Sequence, residues 1–283
     1  MSNTINHKRC SKTVLIPGAS RPIGRAIARR FAREGYSLLL PVFDWPESIA
    51  EMKDEFGNST YDATIFPCDL RNAEEVGRMT EQIAQTGYAL SVLVNNIERG
   101  GMPVVHGAYS LPHNAGQWEL EFATTVTAKM LLYTHTLPLL RKNGRAAVVN
   151  ISSIAGCTGR SGPVAPVFSD GYSAANRAIR SFTETWAREC APDIRVNELQ
   201  LGIISSRHGE GTRGWQALTR AEKNAISDRI MLKRQGIPEE VADAVYFLAV
   251  EARYMTGSVL RMDGGYLLGD ACVPEIPKGI LGE

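Results

Sequence analysis

The sequence has little of what marks a metalloprotein or a disulfide-stabilised secreted protein. Its five cysteines are an odd number, are widely scattered and include no C-x-x-C pair, so they match neither a zinc site nor a disulfide framework. The five histidines show no ligand spacing with carboxylates. We therefore expect reduced thiols, as in the cytoplasm, and no metal site.

An excess of one charge and long apolar runs are lacking as well. The 31 basic and 30 acidic side chains leave a net charge of +1, which provides no basic surface for nucleic acid or an anionic membrane. No run approaches the roughly 18 apolar residues of a membrane span. The polar start MSNTINHKRCSK lacks the apolar segment of a secretory signal. These absences predict a cytoplasmic protein that binds neither nucleic acid nor a membrane.

What the sequence does contain is an alternation of short apolar runs with segments of helical period. Strands this apolar suit a sheet that is covered by helices on both faces, and the separation between runs is long enough for crossover helices. The pattern predicts one α/β domain with a doubly wound parallel sheet of about seven strands. The predicted strands lie in TVLIPG (13–18), YSLLLPVF (36–43), ATIFPCDL (63–70), LSVLVNN (90–96), AAVVNISS (146–153), IRVNELQLG (194–202) and SVLRMDGG (258–265).

The ends of the chain and one internal stretch fall outside this pattern. Residues 1–12 and 269–283 are predicted tails, and a lid is predicted over about residues 203–232. The literal G-x-G-x-x-G string, GEGTRG at 209–214, lies in that lid and leads into a charged amphipathic stretch. A nucleotide-binding loop leads into an apolar helix instead, so we interpret this string as a mobile loop.

The first strand-to-helix turn, PGASRPIGR (17–25), is the predicted site for a diphosphate. Ligands of open parallel sheets bind beyond the carboxyl ends of the strands. Glycine at 18 and 24 allows a diphosphate to approach backbone N–H groups and the positive end of the helix dipole. Pro22 is compatible with the first helical turn, where its missing N–H has no intrahelical partner. A plain turn that needs glycine only for packing remains the alternative.

Two side chains give opposite indications about the nucleotide. Asp44 lies about 20 residues past Gly24, where a carboxylate commonly accepts the adenosine ribose hydroxyls, and it would repel a 2′-phosphate. Arg21, in the glycine turn, could attract that phosphate. The balance favours NAD slightly over NADP.

Several motifs together resemble the short-chain dehydrogenase/reductase family. The resemblance spans about residues 13 to 268, and it implies a single-domain Rossmann-type subunit that binds NAD or NADP and acts on a small molecule. It also implies a homotetramer or homodimer built on the helices that contain residues 118–140 and 172–190. The motifs are PGASRPIG, CDL (68–70), LVNN (93–96), VVNISS (148–153), YSAAN (172–176), RVNELQLG (195–202) and MTGSVLRMDGG (255–265).

The resemblance also implies which residues form the site. Tyr172 and Ser153 fall on the family's catalytic tyrosine and serine. The implied coenzyme-binding residues are Gly18, Ser20, Arg21, Ile23, Gly24, Asp44, Asp69, Leu70, Asn95, Gly202 and Ile204. The chain departs from the family at Pro22, at NNIE (95–98), at Thr125 in place of the helix asparagine, and at Asn176 in place of the lysine. Thr125 and Asn176 complete the candidate catalytic set.

The Tyr172–Asn176 pair has a chemical consequence. An amide can hydrogen-bond a ribose but brings no charge, and a tyrosine with a pKa of about 10 is ionised in only about one molecule per thousand at pH 7. A neutral phenol can still donate its proton to an oxygen that gains negative charge, with Ser153 as a second donor. The substitution therefore favours carbonyl reduction, and oxidation would need alkaline pH. Lys129 and Arg180 stand at helical spacing from Thr125 and Tyr172, and either could replace the missing cation or be a surface charge.

Three functions remain open from the sequence. The first is an NAD(P)-dependent reductase of a carbonyl or related double bond. The second is a non-redox enzyme on the same fold, such as a lyase or dehalogenase, in which Ser153 and Tyr172 bind a substrate oxygen. The third is a catalytically silent coenzyme-binding protein or subunit that acts through its interfaces.

Overall fold

Strands that are buried on both faces form the centre of the molecule, and every residue of the first, second and fifth strands is buried. The computed structural model describes residues 12–57, 61–97, 115–206, 215, 218–269 and 273–275. The strands are β1 (Thr13–Leu15), β2 (Ser37–Val42), β3 (Ala63–Pro67), β4 (Leu90–Asn95), β5 (Ala146–Ser153), β6 (Ile194–Leu201) and β7 (Val259–Met262). Each lies within a predicted apolar run.

The sheet is doubly wound. All neighbouring strands are parallel, and their order is β3-β2-β1-β4-β5-β6-β7. The chain builds outward from β1 in one direction and then returns to build outward from β4 in the other. Ligands of such sheets bind where the order reverses. The predicted fold class is confirmed, and the reversal lies beside the predicted glycine turn.

Helices cover both faces of the sheet. They are α1 (Pro22–Arg33), α2 (Pro46–Gly57), α3 (Ala73–Thr86), α4 (Ala115–Phe122), α5 (Ala128–Asn143), α6 (Ala155–Thr158), α7 (Asp170–Cys190), α8 (Arg220–Arg229) and α9 (Pro238–Tyr246). A π-helical turn, Ala123–Thr127, joins α4 to α5. Because successive side chains of a strand point to opposite faces, Val14 packs with the layer of α1, α2 and α9, whereas Leu15 packs with that of α3, α5 and α7.

A third apolar cluster lies at the carboxyl edge of the sheet. It joins Ile154, Phe168 and Tyr172 to Ile226 of α8 and to Tyr266. Part of the predicted lid is therefore packed helix. The loop at 209–214, residues 1–11 and most of the C-terminal tail lie outside the described residues, so the tail and lid boundaries stay predictions.

Candidate active site

A cavity of about 590 Å³ opens at the carboxyl edge of the sheet. Both Ser153 and Tyr172 line it, and so does the turn that follows β1. The structure thus brings the candidate proton donors and the candidate diphosphate site to one cavity. The predicted coenzyme residues that line it are Gly18, Ser20, Arg21, Ile23, Gly24, Asp44, Asp69, Leu70, Gly202 and Ile204.

The glycine turn is packed so closely that side chains are excluded. Gly18 has a φ of +71°, and a Cβ there would lie 2.7 Å from the carbonyl oxygen of Asn96. A Cβ on Gly24 would lie 2.2 Å from the carbonyl oxygen of Gly18. Pro22 is the first residue of α1, where a proline fits. The N-terminus of α1 therefore meets the cavity through its backbone, which fits the diphosphate of a dinucleotide.

Asn96, the residue after β4, fixes this turn from the other side of the reversal. Its Nδ2 donates a hydrogen bond of 3.2 Å to the carbonyl oxygen of Pro17. The side chain also lies against the positions of Gly18 and Gly24. The two strands beside the reversal are thereby held together at the mouth of the cavity.

A charged pair lines the cavity just beyond the end of β3. Arg71 donates to both carboxylate oxygens of Asp69, with Nε–Oδ1 at 2.8 Å and Nη2–Oδ2 at 2.7 Å. These hydrogen bonds lower the pKa of Asp69 and raise that of Arg71. The Arg71 guanidinium also lies 5.3 Å from the ring centre of Phe43. Its charge is thus already balanced within the protein.

Arg21 is engaged in a similar way. Its guanidinium lies over the Trp45 ring at 4.6 Å from the ring centre, and its Nη1 donates to Ser48 Oγ at 3.4 Å. Trp45 itself has a φ of +68°, which is unusual for a bulky residue. Asp44, beside it, is exposed and lines the cavity. This end combines two cations that have protein partners with an accessible carboxylate.

The reaction end is built by the end of β5 and the start of α7. Ser153 is the last residue of β5, and its Oγ accepts the N–H of Ala155 at 3.1 Å. Tyr172 lies in the first turn of α7, where Ser169 Oγ accepts its N–H at 3.0 Å. The same Ser169 hydroxyl donates to Glu121 Oε1 of α4 at 2.7 Å. Capping of α7 therefore fixes the position of the tyrosine.

Three other predicted site residues lie behind the cavity wall. Asn176 donates from Nδ2 to the carbonyl oxygen of Tyr172 at 3.1 Å, so its amide bonds its own helix. Asn95 donates to Asn150 Oδ1 at 3.1 Å. Thr125 is buried, and its neighbour Thr124 lines the cavity instead. The roles assigned to these residues from the sequence stay predictions.

Comparison with known proteins decides the family. A family model described as enoyl-(acyl carrier protein) reductase matches residues 18–267. The chain belongs to the short-chain dehydrogenase/reductase family. The expected family is confirmed, and the chain is accordingly an oxidoreductase of this type that uses NAD or NADP.

Several family members are similar along nearly their whole length. The oxidoreductase YmfI of Bacillus subtilis, whose reaction is uncharacterised, is 33% identical over 259 residues, covering 90% of this chain and 99% of its own. The D-beta-hydroxybutyrate dehydrogenase of Rhizobium meliloti is 29% identical over 265 residues, covering 90% and 98%. A solved structure from Agrobacterium tumefaciens, assigned as a gluconate dehydrogenase, superposes with a TM-score of 0.78 at 25% identity, covering 92% and 97%.

Sequence reasoning missed several side chains of this family member's site. Phe43, Trp45 and Arg71 line the coenzyme end. The signal for the two aromatic residues was their position on each side of Asp44, and that for Arg71 was its position two residues after Asp69. Glu198 is a fully buried acid in β6. Its signal was a carboxylate at the centre of the apolar run IRVNELQLG.

The described part of the chain holds neither a metal-binding cluster nor a membrane-spanning helix. Within residues 12–57, 61–97, 115–206, 215, 218–269 and 273–275, no three His, Cys, Asp or Glu side chains are grouped to hold a metal. Within the same ranges, no helix combines the length and apolarity that crossing a membrane requires.

Proposed function

We propose that this family member reduces a carbonyl, or a related double bond, in a small molecule with NADH or NADPH. The observation that carries the proposal is one cavity lined by both Ser153 and Tyr172 and by the glycine turn of α1. Relatives named as 3-oxoacyl-[acyl-carrier-protein] reductase, such as that of Aquifex aeolicus at 29% identity over 259 residues, also support carbonyl chemistry.

Each end of the cavity has its own task. A bound nicotinamide coenzyme supplies the hydride. The phenol of Tyr172 donates its proton to the substrate oxygen as negative charge develops there, and Ser153 donates a second hydrogen bond to that oxygen. The Oγ of Ser153 already accepts the N–H of Ala155. This hydrogen bond orients the Ser153 O–H. Neither donation requires an ionised tyrosine, so the reductive direction is favoured.

For the coenzyme we propose a slight preference for NAD over NADP. The guanidinium of Arg71 is held by Asp69, and that of Arg21 lies on Trp45. A 2′-phosphate would compete with these partners and would approach the Asp44 carboxylate. Ribose hydroxyls, in contrast, would find a hydrogen-bond acceptor in Asp44.

The variant Tyr172→Phe tests the proposed reaction. With acetoacetyl-CoA, a 3-oxoacyl thioester, as the first of a panel of small carbonyl probes, we expect turnover of NADH to fall at least about 100-fold. Coenzyme binding, followed by NADH fluorescence, should stay unchanged. Tyr254→Phe is the matched control, because Tyr254 is fully exposed, and its turnover should equal that of the wild type.

Three outcomes would contradict the proposal. Unchanged turnover in Tyr172→Phe would remove the tyrosine from the reaction. Failure of the wild type to bind either coenzyme would favour the non-redox alternative. Faster alcohol oxidation than carbonyl reduction near neutral pH would contradict the proposed direction.

The assembly also stays a prediction. We propose the homotetramer or homodimer of the family, built on the helices that contain residues 118–140 (α4 and α5) and 172–190 (α7). Trp118 and Met130, on α4 and α5, are exposed large apolar side chains and support a subunit contact there. Light scattering coupled to size-exclusion chromatography measures the subunit number directly, and a monomer would contradict this expectation.

A further inference from the structure

Two charged side chains lie in the interior behind Ser153. Lys129 on α5 and Glu198 on β6 are each 0% exposed. Lysine and glutamate are almost never fully buried unless they are paired, because removing a charge from water is costly. Nothing in the proposed reaction has so far used either group.

Lys129 contacts the strand that carries Ser153. Its Nζ donates a hydrogen bond of 2.7 Å to the carbonyl oxygen of Ile151, and Ile151 itself lines the cavity. Lysine side chains on a helix lean toward the helix N-terminus. The N-terminal turn of this helical segment includes Thr124, which lines the cavity. The hydrogen bond to Ile151 therefore places the ammonium behind the cavity wall, two residues before Ser153.

The carbonyl of Ile151 lies where β5 is no longer paired with β4. Pairing of β4 with β5 ends at Asn95 and Asn150, one residue before Ile151. The N–H of Ile154 donates to Leu201 of β6. Because alternate residues of a strand direct their backbone groups to opposite neighbours, the Ile151 carbonyl points the other way, toward the β4 side. Lys129 thus satisfies a carbonyl beyond the last β4 pair, at the floor of the cavity.

Glu198 binds the next residue of the same strand. Ser152 Oγ donates to Glu198 Oε1. Burial raises the pKa of Glu198, whereas the hydrogen bond from Ser152, the charges of Lys129 and Arg180, and a hydrogen bond from Thr183 lower it. The cation and the acid therefore engage consecutive residues of β5, immediately before Ser153.

The other cation considered from the sequence has a different place. The side chain of Arg180 is 57% exposed, and its Nε binds Glu184 at 2.9 Å on the outer face of α7. Two further acids are buried near this end. Glu121 of α4 accepts from the cap of α7, and Asp263, which lies against Gly202, accepts from the backbone N–H groups of Gly265 and Leu267. Of the two candidates, Lys129 is the one in the interior.

The helix that carries the tyrosine leaves polar oxygens buried on its inner side. Ser173 Oγ and Asn176 Oδ1 have no hydrogen-bond partner among the described residues, and the same holds for Thr125 Oγ1 in the π-helical turn that packs on α7. These are neutral groups. None of these three groups therefore supplies positive charge to this side of the cavity.

We propose that Lys129 is an electrostatic positioning residue of the reductase site, whose buried ammonium places a positive charge beneath the Ser153–Tyr172 pair. This inference rests on the proposed function. Charges in a protein interior interact more strongly than in water, so the cation stabilises the negative charge that develops at the reacting oxygen. Lys129 acts through the Ile151 carbonyl and β5, without touching substrate.

The alternative is that Lys129 only balances Glu198, and a pair of variants separates the two roles. Lys129→Met alone leaves a buried acid unbalanced and should destabilise the fold. The double variant Lys129→Met/Glu198→Gln removes both charges, so its urea midpoint should return close to that of the wild type. We expect its turnover to stay reduced at least about tenfold, with the alkaline limb of its pH profile about one unit higher.

A second measurement needs neither substrate nor coenzyme. In protein labelled with [13Cζ]tyrosine, the Tyr172 resonance is identified by its absence in Tyr172→Phe. The double variant should titrate this resonance about one pH unit higher than the wild type does. The matched control is Lys142→Met, the same change at the exposed end of α5, and it should leave the titration in place. Adding Asn176→Lys to the double variant should restore the titration and part of the turnover.

The results have distinct consequences. A double variant with wild-type turnover and wild-type titration of Tyr172 would overturn the role of Lys129 and leave charge balance as its function. Unchanged turnover in Tyr172→Phe would overturn the proposed reaction instead, and the resonance titration would still decide whether Lys129 acts on Tyr172.

Discussion

The two ends of the cavity hold their charges in opposite ways. At the coenzyme end, Arg71 and Asp69 come from one loop, two residues apart, and solvent reaches both side chains. At the reaction end, Lys129 and Glu198 come from different elements and are fully buried. Exposed pairs are screened and contribute little to stability, whereas buried charges interact strongly. Coenzyme binding should therefore depend on shape and backbone, and the reaction on interior charge.

Gly24→Ala should have the largest effect on coenzyme binding. The added Cβ would lie 2.2 Å from the Gly18 carbonyl oxygen and 2.8 Å from Asn96 Nδ2, so the turn must open. We expect coenzyme affinity, measured by NADH fluorescence, to fall at least about tenfold, which corresponds to about 1.4 kcal/mol.

A matched glycine variant controls this test. Gly77 lies within α3, and its Cβ would meet His135 at 3.5 Å, an ordinary contact. Gly77→Ala should leave affinity unchanged. If Gly24→Ala bound NADH as tightly as Gly77→Ala and the wild type do, the glycine turn would not be part of the coenzyme site.

At the reaction end, Ser169→Ala should destabilise the protein by about 1 to 2 kcal/mol. The change removes the cap of α7 and the hydrogen bond to buried Glu121. Urea unfolding measures the loss. Ser169→Thr retains the hydroxyl and should retain most of the stability, and an unchanged midpoint in Ser169→Ala would contradict the importance of this cap.

A smaller effect is expected from Asp44→Asn. Without its carboxylate, the coenzyme end should bind NADPH more tightly relative to NADH, by about 1 kcal/mol or roughly fivefold. Isothermal titration of both coenzymes gives the ratio. Because Asp44 is exposed, added salt should reduce the difference. A ratio that is the same in variant and wild type would contradict the proposed preference for NAD.

The smallest effect concerns Asp69 and depends on pH. The Arg71 hydrogen bonds lower its pKa below the ordinary 3.8, so the folded state holds the ionised form more tightly than the unfolded state does. The contribution of ionised Asp69 to folding stability is complete above about pH 4, and it disappears as the pH falls through the lowered pKa. Asp69→Asn should therefore lower the free energy of unfolding, measured with urea, by about 0.5 to 1 kcal/mol at pH 7 and by progressively less as the pH falls below about 4. A loss that does not change with pH in the acidic range would contradict this cause.

The parts that the sequence predicted are those that local pattern determines. The seven strands, the glycine turn and the positions of Ser153 and Tyr172 follow from apolar runs and short motifs, since each depends on neighbours in the chain. The contact of Lys129 with Ile151 depends on two elements 22 residues apart and on where β4 stops pairing. The bond of Asn176 to the Tyr172 carbonyl is a choice of rotamer, which residue identity does not determine.

The hydrogen bond of Asn96 across the glycine turn also affects the thermodynamics of coenzyme binding. Its amide already bonds the Pro17 carbonyl and lies against both glycines, so the backbone there is ordered before any nucleotide arrives. A ligand that binds to a preorganised site loses its own conformational entropy, but its binding costs the protein little further entropy. Deuterium uptake by the amides of this turn should therefore differ little between the free and loaded protein.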